Sequence, residues 1–285
     1  MDMKNFKKCL ICLLACFLCL GLTACGSSSD TNRLDEIKQR GKLILATSPD
    51  YAPMEFIDPN KSGQESYVGS DIALAYYIAE KLGVELEIMA MDFSTALSSV
   101  NLGQADIAIA GFGWKADRAS SFELSIGYNQ TGEASCQGLM VKTDKLNDYT
   151  SLDDFAGLKI VAQSGSLQEG YVNEQLADST LQLVTDLGLA VEMLKSDKVD
   201  AFACSCEQMD AYAKANPEIA RSTVEFDTTV ESMHDGNVAA VKKGETELIE
   251  AINAILEEVN ASGIYDTWYS EAVAIARDLG LEFEE

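Results

Sequence analysis

Arg118 is the residue of this sequence whose setting is most suited to holding an anion. It closes the stretch "AGFGWKADR" (110–118), where Gly111 and Gly113 leave backbone N–H groups open to close approach. Phe112 and Trp114 add aromatic surface beside them. A guanidinium presents a rigid fork of donors that matches the two oxygens of a carboxylate. Two other stretches carry complementary chemistry. "SPDYAPMEF" (48–56) stiffens its backbone with Pro49 and Pro53 and offers the ring face of Tyr51. "QSGSLQE" (163–169) enters a helix at Ser166, and the N–H groups of a helix start favour negative charge. These types predict capture of a small carboxylate between Arg118 and the Ser166 turn. They do not predict catalysis. The one histidine, His234, is remote from these stretches, no Ser-His-Asp set is visible, and neither a metal nor a cofactor is expected.

The elements that would position these residues follow from periodicity. "KLILAT" (42–47) reads as a buried strand, 70–83 as a helix, 84–91 as a strand, 93–102 as a helix and "ADIAIAGF" (105–112) as a strand. In the first of these helices Ile72, Ala75, Tyr76, Ala79 and Leu82 are the expected apolar stripe. The same order returns later: strand 158–162, helix 167–176, strand 181–184, helix 187–195, strand 199–205. "ALSSVNLGQADIAIAG" (96–111) and "AVEMLKSDKVDAFACS" (190–205) even align, each giving helix, turn, Asp and buried strand. Parallel strands need such helical crossovers. The expected fold is therefore α/β with two similar lobes, each a mostly parallel sheet flanked by helices. Ligands of such sheets bind beyond the carboxyl ends of the strands, and all three candidate stretches begin there. Downstream, Leu248, Ile249, Ile252, Ile255, Leu256 and Val259 mark the buried face of a long helix. Residues 264–280 read as a pair of short helices, and 57–69 as a polar surface loop.

Composition bounds the rest. A net charge of −25 over 285 residues excludes nucleic acid as a partner, because phosphate binding needs clustered Lys and Arg. Residues 1–24 read as a signal peptide: Lys4, Lys7 and Lys8 precede the apolar run 10–22. Leu22-Thr23-Ala24-Cys25 resembles a bacterial lipobox, which implies lipidation at Cys25, a linker over 25–33 and anchorage to the extracytoplasmic face of the cell membrane. With the leader's cysteines set aside, Cys136, Cys204 and Cys206 remain. Buried thiols packed as small hydrophobes are the first reading. A disulfide from Cys136 to Cys204 or Cys206 is the second, and a metal site the last.

Five motifs in order carry a family resemblance: "YAPMEF", "YVGSDIALAYYIAEKLG", "AGFGWKADR", "VAQSGSLQE" and "ASGIYDTWY". From about residue 34 to 269 the chain resembles an extracellular solute-binding protein of a polar amino-acid ABC importer. The resemblance implies a type II periplasmic-binding fold, with lobe one over 34–129 plus 235–285 and lobe two over 130–234. Its two hinge crossovers would lie near 129–137 and 230–237. It further implies a monomer that closes on an amino acid and delivers it to permease subunits. In that reading Arg118 clamps the α-carboxylate, while Tyr51 and Phe93 sandwich the ligand's side chain. Gly111, Phe112, Gly113, Ser166 and Leu167 form the surrounding donor segments, and Ser205 stands where the family places an ammonium-binding Asp. The sequence departs from the family there, at Ser48, and at Gly113 and Leu167, where threonines are usual. A buried ammonium without a carboxylate is costly, which brings Asp50, Asp92 and Glu207 into question as substitutes. The lost hydroxyls point to a less polar ligand, apolar or aromatic. The rival expectations are a cleft enzyme such as a dehydratase and a sensor module for a signalling partner.

Overall fold

The computed structural model describes residues 32–129, 136–228 and 236–281. The leader, Cys25, His234 and the bulk of both expected crossovers fall outside them. After helix α1 (Arg33–Arg40), the first βαβαβ unit is β1 (Lys42–Thr47), α2 (Ser70–Leu82), β4 (Glu85–Ala90), α3 (Phe93–Asn101) and β5 (Ile107–Ala108). Between β1 and α2 lies a small antiparallel hairpin of β2 (Phe56–Ile57) and β3 (Tyr67–Val68), where a plain surface loop was expected. Two-residue strands leave no alternation to read. The chain then forms α4 (Ala116–Ser121) and β6 (Phe122–Leu124).

The second unit begins with β7 (Gln137–Lys142) and repeats the pattern. It comprises β8 (Lys159–Gln163), α5 (Leu167–Gln175), β9 (Thr180–Val184), α6 (Leu187–Lys195) and β10 (Ala201–Ser205). It ends in α7 (Cys206–Ala215) and β11 (Ile219–Glu225). The chain returns to the first unit through β12 (Ala240–Lys242), α8 (Thr246–Ser262) and α9 (Ile264–Asp278). The last is one continuous helix rather than two, since nothing between Ile264 and Asp278 breaks it.

The sheets match in topology. One is ordered β4-β1-β5-β12-β6, the other β11-β7-β10-β8-β9. In each, three parallel strands are followed by one antiparallel strand, β12 in the first and β7 in the second, and then by an edge strand antiparallel to that one, β6 and β11. The two segments that align in sequence become α3–β5 and α6–β10, at equivalent places.

Helix α8 buries the six residues its periodicity nominates, and each fully buried Leu or Ile contributes roughly 1.5–3 kcal/mol. Helix α2 differs from expectation. It buries Leu74 and Ile78, while Tyr76 is exposed at 44%. A helix of a βαβ unit packs on its sheet along one stripe and on α9 along another, so its apolar arc is shifted from the single stripe read in sequence. Among the described residues no helix is long and apolar enough to cross a membrane.

Candidate functional site

The carboxyl ends of the parallel strands of both sheets open onto one cavity of about 290 Å³. Of the nine residues nominated as the ligand-binding set, all but Phe112 line it: Tyr51, Phe93, Gly111, Gly113, Arg118, Ser166, Leu167 and Ser205. Phe112 is fully buried instead, packed at 4.6 Å between ring centroids beneath Phe93. It supports the site without surfacing in it, because alternate residues after β5 point to opposite sides.

The lobe-one wall is built by a buried polar web. Asp71, near the start of α2, accepts from the Gly111 N–H at 2.8 Å, the Tyr128 hydroxyl at 2.8 Å and the Tyr265 hydroxyl at 2.6 Å. This fixes the turn after β5, where Gly111 has φ of +58° and a Cβ would lie 3.1 Å from the Tyr51 ring. Tyr51 is held in turn by paired backbone bonds with Glu55. Glu55 is fully buried, and its carboxyl lies within hydrogen-bonding reach of Asp71. Burial, and then the adjacent Asp71, push its carboxyl well above the usual range. Burial also raises Asp71, against the pull of hydrogen bonds from Tyr265, Gly111, Tyr128 and Glu55.

Arg118 is 3% exposed and lies over the Phe93 and Phe112 rings, with Cζ at 5.9 and 5.3 Å from their centroids. It donates through Nη1 to the Gly113 carbonyl and through Nη2, at 2.9 Å, to the carbonyl of Gly165 in the other sheet's unit. Gly165 directly precedes Ser166, the N-cap of α5, whose Oγ accepts from the Glu169 N–H. Arginine and helix start thus meet across one crevice.

Other bonds close the same crevice. The Tyr51 and Ser205 hydroxyls lie 3.0 Å apart. Asp50 accepts from Gln163 Nε2 at 3.0 Å and from the Leu187 N–H, at the start of α6, at 3.1 Å. Gln208 donates to the Ala52 carbonyl. Burial raises the Asp50 carboxyl and the Tyr51 phenol and pushes the Cys204 thiol up to about 12.

Cys136 and Cys206 form a disulfide on the cavity wall, and Cys204 is a buried free thiol. The first reading, three packed thiols, therefore gives way to the second. A strand end brings Cys206 beside Cys136, with Cα atoms 5.4 Å apart, a proximity that residues 70 apart in sequence do not advertise. Gln163 and Gln137 also line the cavity and were not nominated; each ends or begins a strand at the cleft, which is the signal that marks them.

Residues 43–275 match the family of bacterial extracellular solute-binding proteins, family 3. The chain belongs to this family. The arginine-binding extracellular protein ArtP of Bacillus subtilis is 29% identical over 262 residues, 90% of this chain and 94% of that protein. An amino acid ABC transporter substrate-binding protein from Streptococcus pneumoniae, solved with L-arginine, superposes with a TM-score of 0.75 at 32% identity. That match covers 88% of this chain and 99% of the other. A cyclohexadienyl dehydratase of Pseudomonas aeruginosa is 22% identical over 217 residues, 76% of this chain and 77% of that enzyme. The protein is thus an extracellular solute-binding protein of type II periplasmic-binding architecture.

Proposed function

We propose that the protein captures an amino acid between its two lobes and presents the closed form to the permease of an ABC importer. The observation that carries this reading is Arg118, buried in lobe one and bonded to the residue before the α5 start in lobe two. A carboxylate entering there meets a guanidinium and a helix N-terminus together, and both favour it. Amino-acid-binding relatives that align over nearly the whole chain support the substrate class. Tyr51, Phe93, Gly111, Gly113, Ser166, Leu167 and Ser205 are the remaining ligand-binding candidates.

The lobes in this reading are 34–129 plus 235–285, and 130–234, with hinges in the crossovers. The protein acts as a monomer tethered by lipid at Cys25, and it binds without turnover. A relative that is a dehydratase makes that last point one to test directly: incubation with cyclohexadienyl acids leaves them unchanged. The central experiment is a thermal-shift screen against amino acids and plain carboxylates, since a ligand bound to the folded state raises stability by mass action. Arg118→Ala abolishes the shift of the best carboxylate ligand. An undiminished shift in that variant would remove Arg118 from the site.

A further inference from the structure

Resting on that reading, the structure assigns the ligand's ammonium to Glu207 and the cavity to net-neutral amino acids with apolar or aromatic side chains. Three acids stood near enough in sequence to replace the missing Asp at position 205. Asp50 is spent on closure, accepting from Ser48, Gln163 and the Leu187 N–H. Asp92 caps α3, accepting from the Thr95 N–H, the Thr95 hydroxyl and the Ser94 hydroxyl. Neither lines the cavity. Glu207 does, in the first turn of α7. Among the described residues no hydrogen bond or ion pair engages its carboxylate. Ser205 does not compete for the ammonium as an acid would, and its hydroxyl is already shared between Tyr51 and the Gln208 N–H.

Among the described residues that line the cavity, Arg118 carries the positive charge and Glu207 the negative one. Their sum is zero. A zwitterion with an uncharged side chain matches that pair, whereas a basic amino acid brings a second cation to a wall whose described residues hold no second anion. The remaining lining supports the same choice. Met54, Phe93, Trp114 and Leu167 are apolar or aromatic, and Gln163 and Gln168 are neutral. Glu207 is exposed and lines the cavity, so an arriving ammonium can reach its carboxylate, and the protein around it raises the carboxyl through desolvation.

The test is calorimetric titration of the purified protein with L-phenylalanine, L-leucine, L-arginine, 3-phenylpropanoate and 4-methylpentanoate. The last two are the des-amino forms of the first two. The wild type binds the neutral amino acids more tightly than L-arginine. Glu207→Gln weakens them by about 10- to 100-fold, the range of a lost charged hydrogen bond, and leaves the des-amino acids unchanged. Glu207→Asp, which keeps the charge, retains the preference for the amine and guards against misreading a folding defect. Wild-type affinity of Glu207→Gln for the amino acids overturns the ammonium assignment while amino-acid capture stands. Tightest binding of L-arginine overturns the net-neutral assignment. Binding of no amino acid by the wild type overturns the functional reading itself, and this inference with it.

Discussion

Gly113 and Leu167 face each other across the crevice, which makes closure accessible to a single methyl group. A Cβ placed on Gly113 would sit 2.5 Å from Leu167 Cδ1, 3.3 Å from Cγ and 3.7 Å from Cδ2. Carbon atoms prefer about 3.5–4.0 Å, so either the leucine shifts by roughly an ångström or the lobes part. The backbone itself accepts alanine, since Gly113 is not among the glycines at positive φ. Overpacking of this kind costs about 1–3 kcal/mol. In the proposed closure an open form does not bear that cost, so it falls on the bound state. Gly113→Ala should therefore weaken ligand binding by about 5- to 150-fold with the stability of the ligand-free protein nearly intact. Titration followed through Trp114, which lines the cavity, gives the affinity. Adding Leu167→Ala should recover most of the loss, and the double-mutant cycle isolates that coupling from any contact Leu167 makes with ligand. Unchanged affinity in Gly113→Ala, or a loss that Leu167→Ala leaves in place, would refute the claim that this contact belongs to the ligand-bound state.

Removing the Cys136–Cys206 bridge by Cys136→Ser with Cys206→Ser should destabilise the protein by about 4 kcal/mol on the chain-entropy estimate for a loop of this length. Urea unfolding checks this, and reductant should bring the wild type to the same midpoint. Glu55 should make stability fall with pH. Its raised carboxyl keeps its proton in the folded state, so its contribution is whole below the ordinary glutamate pKa and is lost as pH climbs through the folded value. Glu55→Gln should flatten the decline between pH 5 and 8 in urea titrations, and equal slopes in the two proteins would contradict a neutral Glu55.

The fold was legible where a pattern is local and long. Helix α8 shows its buried face through six apolar residues at helical spacing, and the α3–β5 and α6–β10 segments declare the repeat by aligning. Tyr76 misled because one helix packs in two directions, a fact of topology and not of period. The β2–β3 hairpin left no trace because each strand is two residues long. At the site, strand ends and glycines pointed to Tyr51, Gly111, Gly113, Arg118 and Ser166. What sequence could not supply was pairing between lobes. Gly113 and Leu167 read as two separate losses of a threonine, yet they are the two sides of one contact: the space given up at 113 is filled from 167. The Cys136–Cys206 bridge was opaque for the same reason, since nothing local favours Cys206 over Cys204.

That complementarity extends to the missing acid. With serine at 205, the strand end of lobe two has a hydroxyl to share, and Tyr51 of lobe one takes it. An aspartate there would need a cation to offset its charge on closure, and the ligand's ammonium would supply it. Serine needs none, so this contact can hold the lobes together whether or not an amine is present. Asp50 and Ala52, on either side of Tyr51, accept from the start of α6 and from Gln208 of α7. The loop after β1 thus becomes a latch built from protein groups alone. Discrimination between an amino acid and a plain carboxylate must then come from a different charge on the wall. On the inference above, Glu207 provides it, in the first turn of the helix that the serine caps.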